Sequence, residues 1–201
     1  MANYASTCLA FYGNDVNKLE HLRKMMEETL NKEDCYSIRN FVLKYGYTKE
    51  EAYEFTDGRD TFVHIDDEAS KDEQGYYFTI QTESAWNPNV GVFTKVIADH
   101  YKDEIDFVYC SEEPGFAIYV NSDTTGRFYE DRYHLDYCIN GNKYVMEYYA
   151  SFEDVLKALK EDFPELEFSL CDSVDEINDR VQNLLEESKD DYFNLYEYTE
   201  E

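Results

Sequence analysis

Positive charge is what this chain has least of. Eighteen lysines and arginines face 45 aspartates and glutamates over 201 residues, a formal net charge of −27 at pH 7. Nucleic acids and anionic membranes are held by clustered cations, so the balance argues against direct binding to DNA, RNA or a charged bilayer. Three prolines and eight glycines leave little material for flexible linkers, which predicts a compact chain. No run of about 18 apolar residues is present, so no membrane-spanning helix is expected. Met1–Phe11 also lacks the basic segment and apolar stretch of a signal peptide. The cysteines, Cys8, Cys35, Cys110, Cys138 and Cys171, are odd in number and show neither close pairing nor metal-ligand spacing. That usage fits reduced thiols in a cytoplasmic protein.

Motifs that carry chemistry are missing too. The phosphate-binding loop, the dinucleotide fingerprint, the nucleophile elbow and the zinc-protease helix have no match. Four scattered histidines offer one local pair, His64 with Asp66, on the same face of an expected strand. Two ligands fall short of a metal site. Asp66–Glu73 is rich in carboxylates but lacks the ligand order and central glycine of a calcium loop. Cys110 and His134 form no more than a chance nucleophile–base pairing. The expectation is a protein that is no enzyme, with no cofactor and no metal.

What is present is enough to build a core. Hydrophobic residues make up 43% of the chain, with 20 tyrosines and 13 phenylalanines. Residues 4–12 alternate as a strand, and Val16, Leu19, Leu22, Met25, Met26 and Leu30 follow at helical spacing. A second helix carries Ile38, Phe41 and Val42 and stops at Gly46. Thr48 and Glu51 make a capping box for a third. Strands are expected over 61–65, 76–82, 105–109 and 116–120, with a helix opening at Asn87-Pro88 between the second and third. Residues 127–138 and 143–149 flank Asn140-Gly141, a hairpin signal. Ser151 caps one further helix, and Ser173 with Glu176 caps another that carries Val174, Ile177, Val181, Leu184 and Leu185. Residues 189–201 read as an acidic, aromatic, frayed tail. The domain reading is an α+β body over 1–150 with an acidic helical extension over 151–201.

Strand, helix, strand, strand, helix, strand is the split βαβ order of ferredoxin-like domains. Two stretches sharpen it: the run from Phe78 to Pro88, which contains Glu83, Trp86 and Asn87, and Glu113-Pro114-Gly115-Phe116. With the opening Met1-Ala2-Asn3-Tyr4, these resemble the YubB-type ferredoxin-like proteins of plasmids and phages over about residues 3–138. The resemblance implies a ferredoxin-like antiparallel sheet with helices on one face, extended by a hairpin and C-terminal helices. It also implies a mobile-element origin, and no reaction. Read physically, Trp86 is a ring able to plug a core end at a strand-to-helix junction. Glu83 and Glu113 are able to cap nearby amides, and the three residues together are a candidate cleft.

The charge is unevenly placed. Residues 161–201 hold 15 acidic and two basic residues, net −13 in 41 positions. Asp172, Asp175, Glu176 and Asp179 recur at helical steps, continued by Glu186 and Glu187, broadly opposite the apolar side. Like charges at those steps disfavour a helix. A one-signed row of carboxylates can stand in for phosphates before a groove built for nucleic acid. These six are the candidate partner-binding residues. The function expected is inhibition of a host nucleic-acid-binding defence protein, in the manner of anti-CRISPR or anti-restriction proteins that mimic DNA, through that protein's basic groove. The alternative is a small accessory or ligand-binding domain whose acidity is incidental.

Overall fold

A computed structural model describes residues 4–30, 37–56, 59–102, 104–185 and 190–200. The chain divides into two compact units, Met1–Ser122 and Asp123–Glu201. The division falls well before residue 150, so the hairpin counted with the N-terminal body belongs to the C-terminal unit.

In the first unit, β1 (Tyr4–Gly13) leads into α1 (Val16–Leu30), α2 (Ser37–Lys44) and α3 (Lys49–Phe55). Thr48 Oγ accepts the Glu51 amide and the Glu51 carboxylate accepts the Thr48 amide, so the capping box forms. Next come β2 (Thr61–Ile65), β3 (Ser70–Asp72) and β4 (Gly75–Ala85). Then follow α4 (Gly91–His100), β5 (Ile105–Glu113), a single 3-10 turn (Pro114–Phe116) and β6 (Ile118–Asn121). The strands pair antiparallel in the order β2-β4-β1-β5-β6, and β3 adds a short hairpin on β4.

Alternation along β1 sets which face is buried. Ala5, Thr7, Leu9 and Phe11 turn inward while Ser6 and Cys8 turn outward. Leu9, Phe11, Phe78 and Ile80 form one cluster with Leu19, Leu22 and Met26 of α1, Phe41 of α2 and Phe93 of α4. The helices therefore supply one continuous core with the sheet. The residues opposite Cys8 on its two neighbours are Gln81 and Cys110.

The second unit is built from β7 (Tyr133–Ile139), β8 (Lys143–Tyr149), α5 (Phe152–Asp162), α6 (Val174–Leu185) and β9 (Tyr192–Glu197). Its sheet runs β8-β7-β9, all antiparallel. The expected frayed tail is thus a strand. Phe193 and Leu195 alternate inward and are fully buried with Leu135, Tyr137, Leu159, Ile177 and Val181. Acidic residues flank that short pattern and mask it in the sequence.

The expected strand at 127–138 begins only at Tyr133. Residues 123–132 are instead wound around one carboxylate. Asp123 accepts the Thr125 amide and hydroxyl on Oδ1 (3.2 and 2.7 Å) and the Phe128 and Tyr129 amides on Oδ2 (2.6 and 3.1 Å). Leu184, expected in the core, is 41% exposed. Ile177 and Val181 cover β9, whereas Leu184 lies beside Asp191, where the sheet ends. No helix among the described residues is long and apolar enough to cross a membrane.

Candidate functional site

The carboxylates expected to form the stripe have separate duties. Asp172 precedes α6 and is held by Arg180 through two contacts of 3.1 Å, and its Oδ2 also accepts the Ser169 amide at 2.8 Å. The guanidinium first, and the amide second, hold its carboxyl below the usual aspartate range. Glu176 closes the capping box: its Oε2 accepts the Ser173 amide at 2.8 Å, and its own amide donates to Ser173 Oγ at 3.2 Å. The Ser173 amide and hydroxyl lower its pKa. Both groups are spent on the helix start, a role that spacing alone does not separate from a stripe. Arg180 also donates to the Glu167 carbonyl and lies 5.9 Å above the Phe168 ring. The groove beside it is lined by Lys160 and Arg180 as well as Asp172 and Glu167. Asp175 and Asp179 remain exposed, as do Glu165 and Glu167. Glu186 and Glu187 lie outside the described residues.

The surface of the unit is nonetheless strongly anionic. Residues 123–201 hold 22 acidic and seven basic residues, net −15 over 79 positions, against −12 over the preceding 122.

The cleft candidates come together in part. Trp86 follows β4 at φ 73°, and the Asn87 amide donates to the Ala85 carbonyl at 2.9 Å. This is a γ-turn of the rare positive-φ kind centred on a bulky residue, a conformation that costs about 1–3 kcal/mol. Ser84 Oγ donates to the Asn87 carbonyl at 2.6 Å and helps hold the turn. The ring does not plug the core. It is 43% exposed and lies 5.6 Å from Phe116, itself 55% exposed.

Phe116 is presented by the 3-10 turn after β5, whose start is capped by Glu113. That carboxylate is buried and accepts the Phe116 amide at 2.5 Å. The turn ends on Ala117 in the left-handed region at φ 52°. Glu83 stands further back, half-buried between Ser6 and Thr61. Tyr4, opposite Ala85 at the same end of the sheet, is 45% exposed, with Arg59 5.8 Å above its ring. Three exposed aromatic rings thus share one sheet end. Phe116 and Tyr4 are legible in the sequence only as members of the stretches that carry the resemblance, not as site residues.

No family model, no curated protein and no solved structure matches the chain.

The one local ligand pair of the sequence is partly committed elsewhere. His64 Nε2 lies 3.5 Å from Asp66 Oδ1, but Asp66 Oδ2 is committed to the Thr79 amide and hydroxyl at 2.6 and 2.9 Å. Among the described residues no three metal-ligating side chains converge. Cys8, Cys110, Cys138 and Cys171 are joined in no disulfide.

The strain at Trp86 is directly measurable. Trp86→Gly removes the positive-φ penalty and a ring already half in solvent. The unfolding free energy is expected to stay equal or rise by about 1 kcal/mol in urea unfolding followed by circular dichroism. A fall of more than about 2 kcal/mol would mean that the ring is a packing element.

Proposed function

We propose that this protein acts by binding a basic, nucleic-acid-binding protein, presenting surface carboxylates where that partner ordinarily meets phosphates. The observation that carries the reading is the charge on the second unit. Within residues 123–185 and 190–200, 19 acidic residues face six basic ones, and the same segments close a hydrophobic core, so these acids belong to a folded unit rather than a disordered tail. Asp175 and Asp179, two members of the expected stripe, are exposed on it, as are Glu165 and Glu167 before the helix. Asp172 and Glu176 serve as supports for α6 rather than contacts. We read the antiparallel order β2-β4-β1-β5 of the first unit as a ferredoxin-like split βαβ domain with β6 added. Together with the YubB-type resemblance, this supports a cytoplasmic mobile-element protein acting on a host defence nuclease or similar target, without catalysis of its own.

The test uses Glu165→Gln, Glu167→Gln, Asp175→Asn and Asp179→Asn together. Immobilised wild-type protein is expected to retain basic proteins from nuclease-treated lysate and to release them to duplex DNA or to raised salt. The quadruple variant should retain less than about a tenth as much, since each lost contact to a desolvated cation removes a large share of affinity. Captured proteins that resist both DNA and salt would count against phosphate mimicry.

A second reading rests on the strained, exposed Trp86 with Phe116 beside it, a pair of the kind that anchors interfaces. It prevails if Trp86→Ala abolishes retention while the charge variant behaves as wild type.

A further inference from the structure

The two edges of the β8-β7-β9 sheet are finished differently. On β9 the outer edge is closed by α6. Asn178 Oδ1 accepts the Leu195 amide (2.8 Å), Asn178 Nδ2 donates to the Leu195 carbonyl (2.9 Å), and Gln182 Nε2 donates to the Phe193 carbonyl (2.9 Å). These bonds fix the parity of the whole sheet. Main-chain groups alternate sides along a strand, so if residues 193 and 195 point outward, 192, 194 and 196 face β7. Their partners 134, 136 and 138 then use their groups toward β9, which leaves 135, 137 and 139 for β8. On β8, residues 143, 145, 147 and 149 therefore bond inward. The amides and carbonyls of Tyr144 and Met146 point away from the sheet. The side chains at that edge are also open: Tyr144 is 71% and Met146 65% exposed, and Lys143 and Glu147 are exposed with them. An uncovered edge of this length and apolar content is a template for another strand.

We propose that β8 pairs antiparallel with β8 of a second copy of this chain, about a two-fold axis through Val145. The occupant follows from the sequence of the strand itself. Outward groups must meet outward groups, so even-numbered residues pair with even-numbered ones and slips of one residue are forbidden. With Val145 on the axis, Lys143 stands opposite Glu147 of the second copy, and symmetry repeats the pair. Tyr144 and Met146 of the two copies meet on the other face. Centring on Met146 instead places Lys143 opposite Tyr149 and Val145 opposite Glu147, and both ion pairs vanish. The strand is thus self-complementary in one register, as an isologous contact requires. Lys143 already touches Asp162, and the second copy's Glu147 would be its second carboxylate. The opposing force is the net charge of −27 on each copy, which keeps the association weak at low salt.

Sedimentation equilibrium of the full chain tests this without any other partner. The expected result is a monomer–dimer equilibrium that tightens as salt rises from about 10 mM to about 150 mM, because screening relieves the long-range repulsion first. Met146→Pro deletes an outward amide and leaves the β7 ladder whole, so it should give monomer with the circular dichroism of the parent. Glu147→Lys lowers the net negative charge, and charge alone would then tighten the dimer. The proposed register sets Lys143 against a lysine twice and predicts about tenfold weaker association. Mixing Glu147→Lys with Lys143→Glu should restore a heterodimer. Monomer at every concentration and salt, a dimer indifferent to Met146→Pro, or a dimer tightened by Glu147→Lys overturns the proposal.

Discussion

Phe11→Ala should lower the unfolding free energy by about 3–5 kcal/mol, the range for deleting a fully buried ring. Phe11 is the centre of the first core. It is fully buried in the middle strand β1 and stacks on Phe78 at 5.2 Å, with Phe93 and Phe107 each 5.5 Å away. Each neighbour comes from a different element, one on β4, one on α4 and one on β5, so no single side chain can relax into the space left. Poor collapse puts the loss toward the upper end of the range. Much of a typical domain's stability, about 5–15 kcal/mol, would go with it. Urea unfolding followed by far-ultraviolet circular dichroism reads the change. Phe11→Leu should lose less than half as much, because it keeps most of the apolar volume. A loss below about 1.5 kcal/mol for the alanine variant would mean that the four rings are not packed as described.

The elements most legible in the sequence are those whose signal is local and redundant. Thr48 with Glu51, Ser151, and Ser173 with Glu176 each declare a helix start by side-chain chemistry, and each forms the expected bonds. The helical repeat of Leu19, Leu22 and Met26 and the alternation through Leu9 and Phe11 mark buried faces without reference to anything distant. Residues 192–197 were misread because two inward positions, Phe193 and Leu195, are too few for a period among so many acids. Their strand depends on β7 on one side and Asn178 and Gln182 on the other, all remote in sequence.

The candidate site shows the same division. Glu176 was visible at once as a capping residue and as a stripe member, and only geometry assigns it to the first role. Asp172 could not be judged without knowing that Arg180 reaches it. The sequence offers Trp86 both as a plug for a core end and as a cleft residue, because a lone tryptophan at a strand end fits either. The γ-turn that exposes it is set by the Ser84 and Asn87 bonds, which have no composition signature. Acidity itself was legible throughout, but its functional weight depends on which carboxylates are already occupied. Around α6, that subtraction leaves Asp175, Asp179, Glu165 and Glu167 as exposed carboxylates.

Asp123→Ala should cost about 3 kcal/mol at pH 7, the second large effect. Its side chain is 1% exposed and is the hub of residues 123–132. Removing the carboxylate takes away the acceptor of the Phe128 and Tyr129 amides, and an amide left without its acceptor costs stability. Burial by itself pushes this carboxyl upward. The amides of Phe128, Tyr129 and Arg127 and the Thr125 hydroxyl outweigh that and hold it below the ordinary aspartate value. The sign of the pH dependence follows. A folded pKa below the unfolded one means the stabilisation is complete above the unfolded value of about 3.9 and is lost as pH falls through the folded value. The gap between wild type and Asp123→Asn, which keeps the shape and removes the charge, should therefore be widest near neutrality and narrow toward pH 3. Paired urea titrations at pH 7 and near pH 3 measure it. A gap that widens in acid would mean that the carboxyl is protonated first in the folded state, and that burial rather than the amides governs it.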